Sequence, residues 1–95
     1  VSIPFRQYLR PDARRREVDI DMPAEIETLA QQFIEDGGRF ECEELRTGEV
    51  SLTAVHEVDG EPADIAIEVC PNNAEVVPAV ERLVRRAIAW LRDRE

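Results

Sequence analysis

Few residues in this chain can do chemistry, and their spacing argues against most catalytic arrangements. His56 is the sole histidine, and Cys42 and Cys70 are the two cysteines. General-base work by His56 needs a group to orient the ring and a nucleophile within reach. Ser51 lies on the same alternating stretch but at the opposite parity, so the two side chains point to opposite faces of a strand. His56 shares its parity with apolar residues, which reads as a structural or half-exposed histidine. Cys42 has core parity and reads as a small hydrophobe. Cys70 has outward parity beside Glu68, whose charge raises a thiol pKa and opposes a nucleophilic thiolate. The two cysteines form no CxxC or zinc spacing.

The acidic pairs Asp19/Asp21 and Glu41/Glu43 are spaced i, i+2, which puts each pair on one face of a strand. Such carboxylates could hold a hard cation or act as acid and base. There is no EF-hand spacing and no glycine-rich phosphate loop; Gly37-Gly38 reads as a helix stop. The expectation is a protein that is not an enzyme, with no catalytic residues, no metal and no cofactor.

The elements that position these residues are legible from periodicity. Ile3, Phe5 and Leu9 share one parity of a first strand, and Pro11-Asp12-Ala13 is a turn signal. Arg16–Asp21 alternates again, with Val18, Ile20 and Met22 on one face, which completes a hairpin. Pro23 opens a helix with Asp21 as candidate cap, and Ile26, Leu29, Ala30, Phe33 and Ile34 form its apolar stripe.

Residues 39–70, RFECEELRTGEVSLTAVHEVDGEPADIAIEVC, then predict three strands broken at Arg46-Thr47-Gly48 and Asp59-Gly60. Core parity falls on Phe40 and Cys42, on Val50, Leu52 and Ala54, and on Ile65, Ile67 and Val69. A second helix runs to about Arg92, with Pro78 in its first turn and Val80, Leu83, Val84, Ala87, Ile88 and Leu91 on its apolar stripe. The fold class is α+β, order β-β-α-β-β-β-α. It is a two-layer domain over residues 1–95, a five-stranded, largely antiparallel sheet with two helices on one face.

Composition bounds the rest. A chain of 95 residues with 43% hydrophobic residues is expected to form one domain with one core. No apolar run approaches a membrane span, and two isolated cysteines suit a reducing compartment, so a soluble cytoplasmic protein is expected. The first residue is Val1 rather than Met, so a processed or truncated start is expected. All basic residues are arginine, for which a GC-rich genome is the plain explanation.

The net charge of −9 is unevenly spread. Residues 1–16 carry five arginines against Asp12, and residues 82–95 carry five against Asp93 and Glu95. Residues 17–81 carry the other eighteen acids against only Arg39 and Arg46. Glu41, Glu43, Glu57, Asp64 and Glu68 share the outward parity of three adjacent strands, while Glu44, Glu49, Asp59 and Glu61 crowd the turns. Such a face either only solubilises the protein or docks on a partner with a basic surface, with association sped by complementary charge and weakened by salt. Direct nucleic-acid binding is disfavoured by repulsion from phosphate. Arg6, Tyr8 and Arg10 project outward from the first strand. If they lie at the opposite end of the sheet from the acids, two copies could pair head to tail, with Val55, Ala66 and Tyr8 in the contact.

The stretches IPFRQYLRPDARRREV, GGRFECEELRTGEVSLT and DIAIEVCPN resemble those of small acidic proteins encoded in phages and prophages of GC-rich bacteria. The likeness spans most of the chain and contains no catalytic motif, so no functional residue carries over. It implies a setting in which accessory proteins act by binding a host protein. The expectation is a non-enzymatic interaction or regulatory module, a phage-type inhibitor of a host nucleic-acid-binding protein. The alternatives are a homodimeric structural accessory protein and, third, a small metal-dependent enzyme.

Overall fold

A computed structural model describes residues 2–9 and 14–94, with all their side chains except those of Tyr8, Leu9, Arg14, Arg15 and Asn73. The expected turn at Pro11-Asp12-Ala13 lies outside the described residues. The elements are β1 (Ser2–Leu9), β2 (Arg14–Asp21), α1 (Ala24–Glu35), β3 (Arg39–Glu44), β4 (Val50–Val58), β5 (Glu61–Cys70), a short 3₁₀ turn (Asn73–Glu75) and α2 (Val76–Asp93). The sheet order is β2-β1-β3-β4-β5. Three neighbouring pairs are antiparallel. The pair β1/β3 is parallel, because the chain leaves β1 through β2 and crosses back along α1 before entering β3.

Both helices pack on one face. Ile3, Phe5, Phe40, Leu52 and Ala54 of the sheet share a buried cluster with Ile26, Ala30 and Phe33 of α1 and with Ala79, Val80, Leu83 and Val84 of α2. The rings of Phe5 and Phe33 lie 5.5 and 5.2 Å from that of Phe40. α2 lies over β4 and β5, and α1 packs on α2 and β1.

The helix ends follow backbone chemistry more than capping side chains. Pro23 is the N-cap of α1, with no side-chain cap, and its carbonyl accepts from the N–H groups of Ile26 and Glu27 at 3.0 Å. Asp21 is therefore not the cap; it ends β2. At the other end Gly37 adopts φ of 102°, and the N–H of Gly38 donates to the Phe33 carbonyl at 3.0 Å. A Cβ on Gly38 would lie 2.4 Å from the Phe33 ring, so that position needs glycine for packing. Pro78 is the third residue of α2, where a missing N–H breaks no helical bond.

The phase of β5 departs from the expectation. Val50, Leu52 and Ala54 pair with Cys70, Glu68 and Ala66, and these partners share the helix-facing side. Ile67 and Val69 therefore point to the other face, where they are 48% and 50% exposed, while Ala66 and Cys70 are buried. A bulge separates this half from the rest. The pairing steps from Ala54↔Ala66 to Val55↔Asp64 and leaves Ile65 as the extra residue, packed on the core. Of the three residues expected inward, only Ile65 is so placed; the register to β4 overrides the hydrophobic pattern of β5.

Candidate interaction surface on the open sheet face

Two register rows show how the sheet sorts its side chains. Glu17, Arg6, Glu41, Thr53 and Ile67 lie opposite one another across all five strands. So do Arg16, Gln7, Cys42, Leu52 and Glu68. Leu52 and Cys42 are buried beneath the helices, so the second row belongs to the helix side and the first to the open side.

Glu41 and Glu43 stand on the open face, as expected, with Glu43 opposite Ser51 and then Val69. Glu57 and Asp64 are exposed nearer the other end of β4 and β5, opposite Pro62 and Val55. Glu68 does not join them. It lies on the helix side with its side chain 18% exposed. The Arg82 Nε donates to its Oε1 at 2.8 Å, and the Arg86 Nη1 donates to its Oε2 at 2.7 Å. The hydrogen bond from Arg82, with that from Arg86 and the charge of both, holds the Glu68 carboxyl below the usual carboxylate range. Burial of this acid is possible because α2 delivers two guanidinium groups to it.

β2 supplies what the expected patch lacked. Glu17, Asp19 and Asp21 are exposed and alternate with Val18 and Ile20, which turn toward the helix side. Their parity opposite two apolar residues was the available signal. The open face thus divides. Its β2–β1–β3 part is rich in carboxylates around Arg6 and Arg39. The Arg39 Nε donates to Glu41 Oε2 at 2.7 Å, and the Glu41 side chain is 16% exposed, so the most accessible acids of this part are Glu17, Asp19 and Asp21 of β2. Its β4–β5 part carries Ser51, Thr53, Ile67 and Val69; Val55, expected in an intermolecular contact, is buried at 3% exposure.

The basic residues of β1 are not at the far end of the sheet from the acids. Arg6 is flanked in register by Glu17 and Glu41, because β1 sits between β2 and β3. This removes the premise of head-to-tail pairing between opposite ends. Tyr8 is in register with Glu43, but its side chain, and all of Arg10, lie outside the described residues.

The chemistry-bearing residues are occupied by structure. His56 is buried on the helix side at 6% exposure. Its Nε2 lies 2.9 Å from Asp36 Oδ2, and its ring packs between Phe33 and Trp90 at 5.4 and 5.0 Å. A pocket of about 350 Å³ opens beside it, bounded by Asp36, Glu57, Asp59, Gly60, Leu91 and Arg94. An aspartate–histidine pair is one part of a hydrolytic site, but among the described residues no serine, threonine or cysteine lines this pocket. Ser51 is on the opposite face, as parity required.

Cys42 and Cys70 are buried free thiols, and burial pushes both thiols up, so neither is poised as a thiolate. For Cys70 the expected cause was an acidic neighbour on an open face; the thiol instead faces the helices and donates to the Val50 carbonyl at 3.4 Å. Among the described residues no group of three or more His, Cys, Asp and Glu side chains could hold a metal ion, and no helix is long and apolar enough to cross a membrane. Comparison with protein-family models, with curated proteins and with solved structures finds no match to this chain.

Proposed function

We propose that the chain is a non-enzymatic interaction module, a phage-type inhibitor of a host nucleic-acid-binding protein, and that it docks through the open face of its sheet. One observation carries the reading. A face with no helix over it combines the carboxylates of β2 and β3 with half-exposed Ile67 and Val69. The partner that fits is a protein whose phosphate-binding arginines and lysines border an apolar patch. Carboxylates of β2 and β3 would then stand where phosphates stand, and the net charge of −9 would steer the encounter.

Magnitudes divide the work between the two halves. Burying the exposed parts of Ile67 and Val69 contributes about 1 kcal/mol each. A micromolar complex needs about 8 kcal/mol. The apolar strip alone is insufficient, so the acidic half has to be engaged in the same contact. The test is capture of a partner from nuclease-treated host lysate by wild type and by a Glu41→Gln/Glu43→Gln variant, washed at low and high salt. A nucleic-acid-binding protein held by wild type, weakened in the variant and released by salt is the expected result. Equal retention by both proteins at high salt would refute the acidic docking.

The exposed Ile67 and Val69 on edge strand β5 favour a second reading, a homodimer formed face to face along that strand. Light scattering distinguishes it: a dimer that persists in high salt and is lost in Ile67→Ser supports this reading against the first.

A further inference from the structure

The end of α2 is tied to the sheet by a contact that a proton can break. His56 Nδ1 has two neighbours that ask opposite things of it. The Glu57 carbonyl oxygen, 3.0 Å away, can only accept a hydrogen bond. Arg94 Nη1, 3.4 Å away, can only donate one. The other ring nitrogen faces acceptors alone, Asp36 Oδ2 at 2.9 Å and the Asp36 carbonyl at 3.1 Å, so Nε2 carries a proton in either state.

The neutral ring therefore has a bare Nδ1, which accepts from Arg94. The charged ring has an Nδ1–H, which donates to the Glu57 carbonyl. That carbonyl is the other acceptor within reach of Arg94 Nη1, at 3.5 Å. Protonation thus removes the Nδ1 acceptor from Arg94, makes Arg94 share the Glu57 carbonyl with the Nδ1–H, and places an imidazolium against a guanidinium. It also strengthens the tie between Asp36 and His56 by making that pair ionic. The charged groups facing the ring are Asp36 at the end of α1, Glu57 on β4, Asp59 in the turn after β4, and Arg94 at the end of α2. Trp90, one turn earlier on α2, contacts the ring and carries the Arg94 guanidinium over its own face at 4.6 Å.

We propose that His56 is a proton-operated latch, which holds the last turn of α2 through Arg94 when neutral and releases it when charged. Proton uptake exchanges a tie between α2 and β4 for a stronger tie between α1 and β4.

The chain has one histidine and one tryptophan, so the test is free of background. Nitrogen NMR of the ring reads which nitrogen is protonated, and amide relaxation of residues 91–94 reads the last turn, over a titration from about pH 8 to 5. The expected result is a bare Nδ1 at high pH, protonation of both nitrogens at low pH, and increased motion of residues 91–94 in step. Arg94→Ala, at an exposed position, should leave the ring titration in place and make the last turn mobile throughout. A ring with Nδ1–H at high pH overturns the proposal. So does a ring that stays neutral to the end of the titration, or a last turn that ignores protonation of the ring in the wild type.

Discussion

β4 and β5 lie side by side and treat their apolar residues in opposite ways. β4 turns Leu52 and Ala54 under the helices and leaves Ser51 and Thr53 on the open face. β5 turns Glu68 under α2 and leaves Ile67 and Val69 on the open face. The difference is set by partners. Beneath α2, Ala66 and Cys70 are small, and Glu68 meets Arg82 and Arg86. Hydrophobicity alone does not decide which side of an edge strand is buried. A carboxylate can occupy the covered side if guanidinium groups arrive with the covering helix, and the exposed apolar side is then available for a partner.

Stability measurements can sharpen or break this contrast. Leu52→Ala on β4 should cost about 3 kcal/mol, because a fully buried leucine leaves a cavity. Denaturant unfolding checks it, and a cost below that of Ile67→Ala would invert the comparison. Glu68→Ala should cost roughly 1 kcal/mol, since it strips a partly covered carboxylate from two arginines. A double-mutant cycle with Arg82→Ala should show positive coupling between the two.

Acid adds a sign to the Glu68 prediction. The carboxyl is held below its ordinary value in the folded state. Its contribution is fully present above the unfolded value of about 4.3 and is lost as pH falls through the folded value. Glu68→Gln should therefore be destabilised near neutral pH and approach wild type in strong acid. Parallel acid limbs for the two proteins would contradict the double-arginine clamp. Ile67→Ser should cost about 1 kcal/mol, no more than the Glu68 change and well below Leu52→Ala, because half of the side chain already meets solvent.

The parts legible in the sequence are those in which local pattern and tertiary environment agree. The α1 stripe of Ile26, Ala30 and Phe33 is buried, as its period requires, and Gly37-Gly38 ends the helix. The parities of β1, β3 and β4 hold for Ile3, Phe5, Phe40, Cys42, Leu52 and Ala54. β5 was not legible, because Ile65, Ile67 and Val69 alternate cleanly in the wrong phase. The correct phase depends on a bulge at Ile65 and on arginines fourteen and eighteen residues downstream. The acids of β2 were legible in principle from their parity against Val18 and Ile20. Their place beside Glu41 was not, since it follows from β1 lying between β2 and β3. The Asp36–His56 pair joins residues twenty apart, through a helix end that no spacing motif marks.

The most direct test of the central claim compares the two sides of β5 in one assay. The affinity of the captured partner would be measured for Ile67→Ser/Val69→Ser and for Glu68→Gln beside wild type. Docking on the open face predicts a loss of about tenfold or more for the first variant, matching the apolar burial it forfeits, and less than about twofold for the second. The reverse order, with Glu68→Gln weakened and the open-face variant unchanged, would place the partner on the helix side and contradict the account.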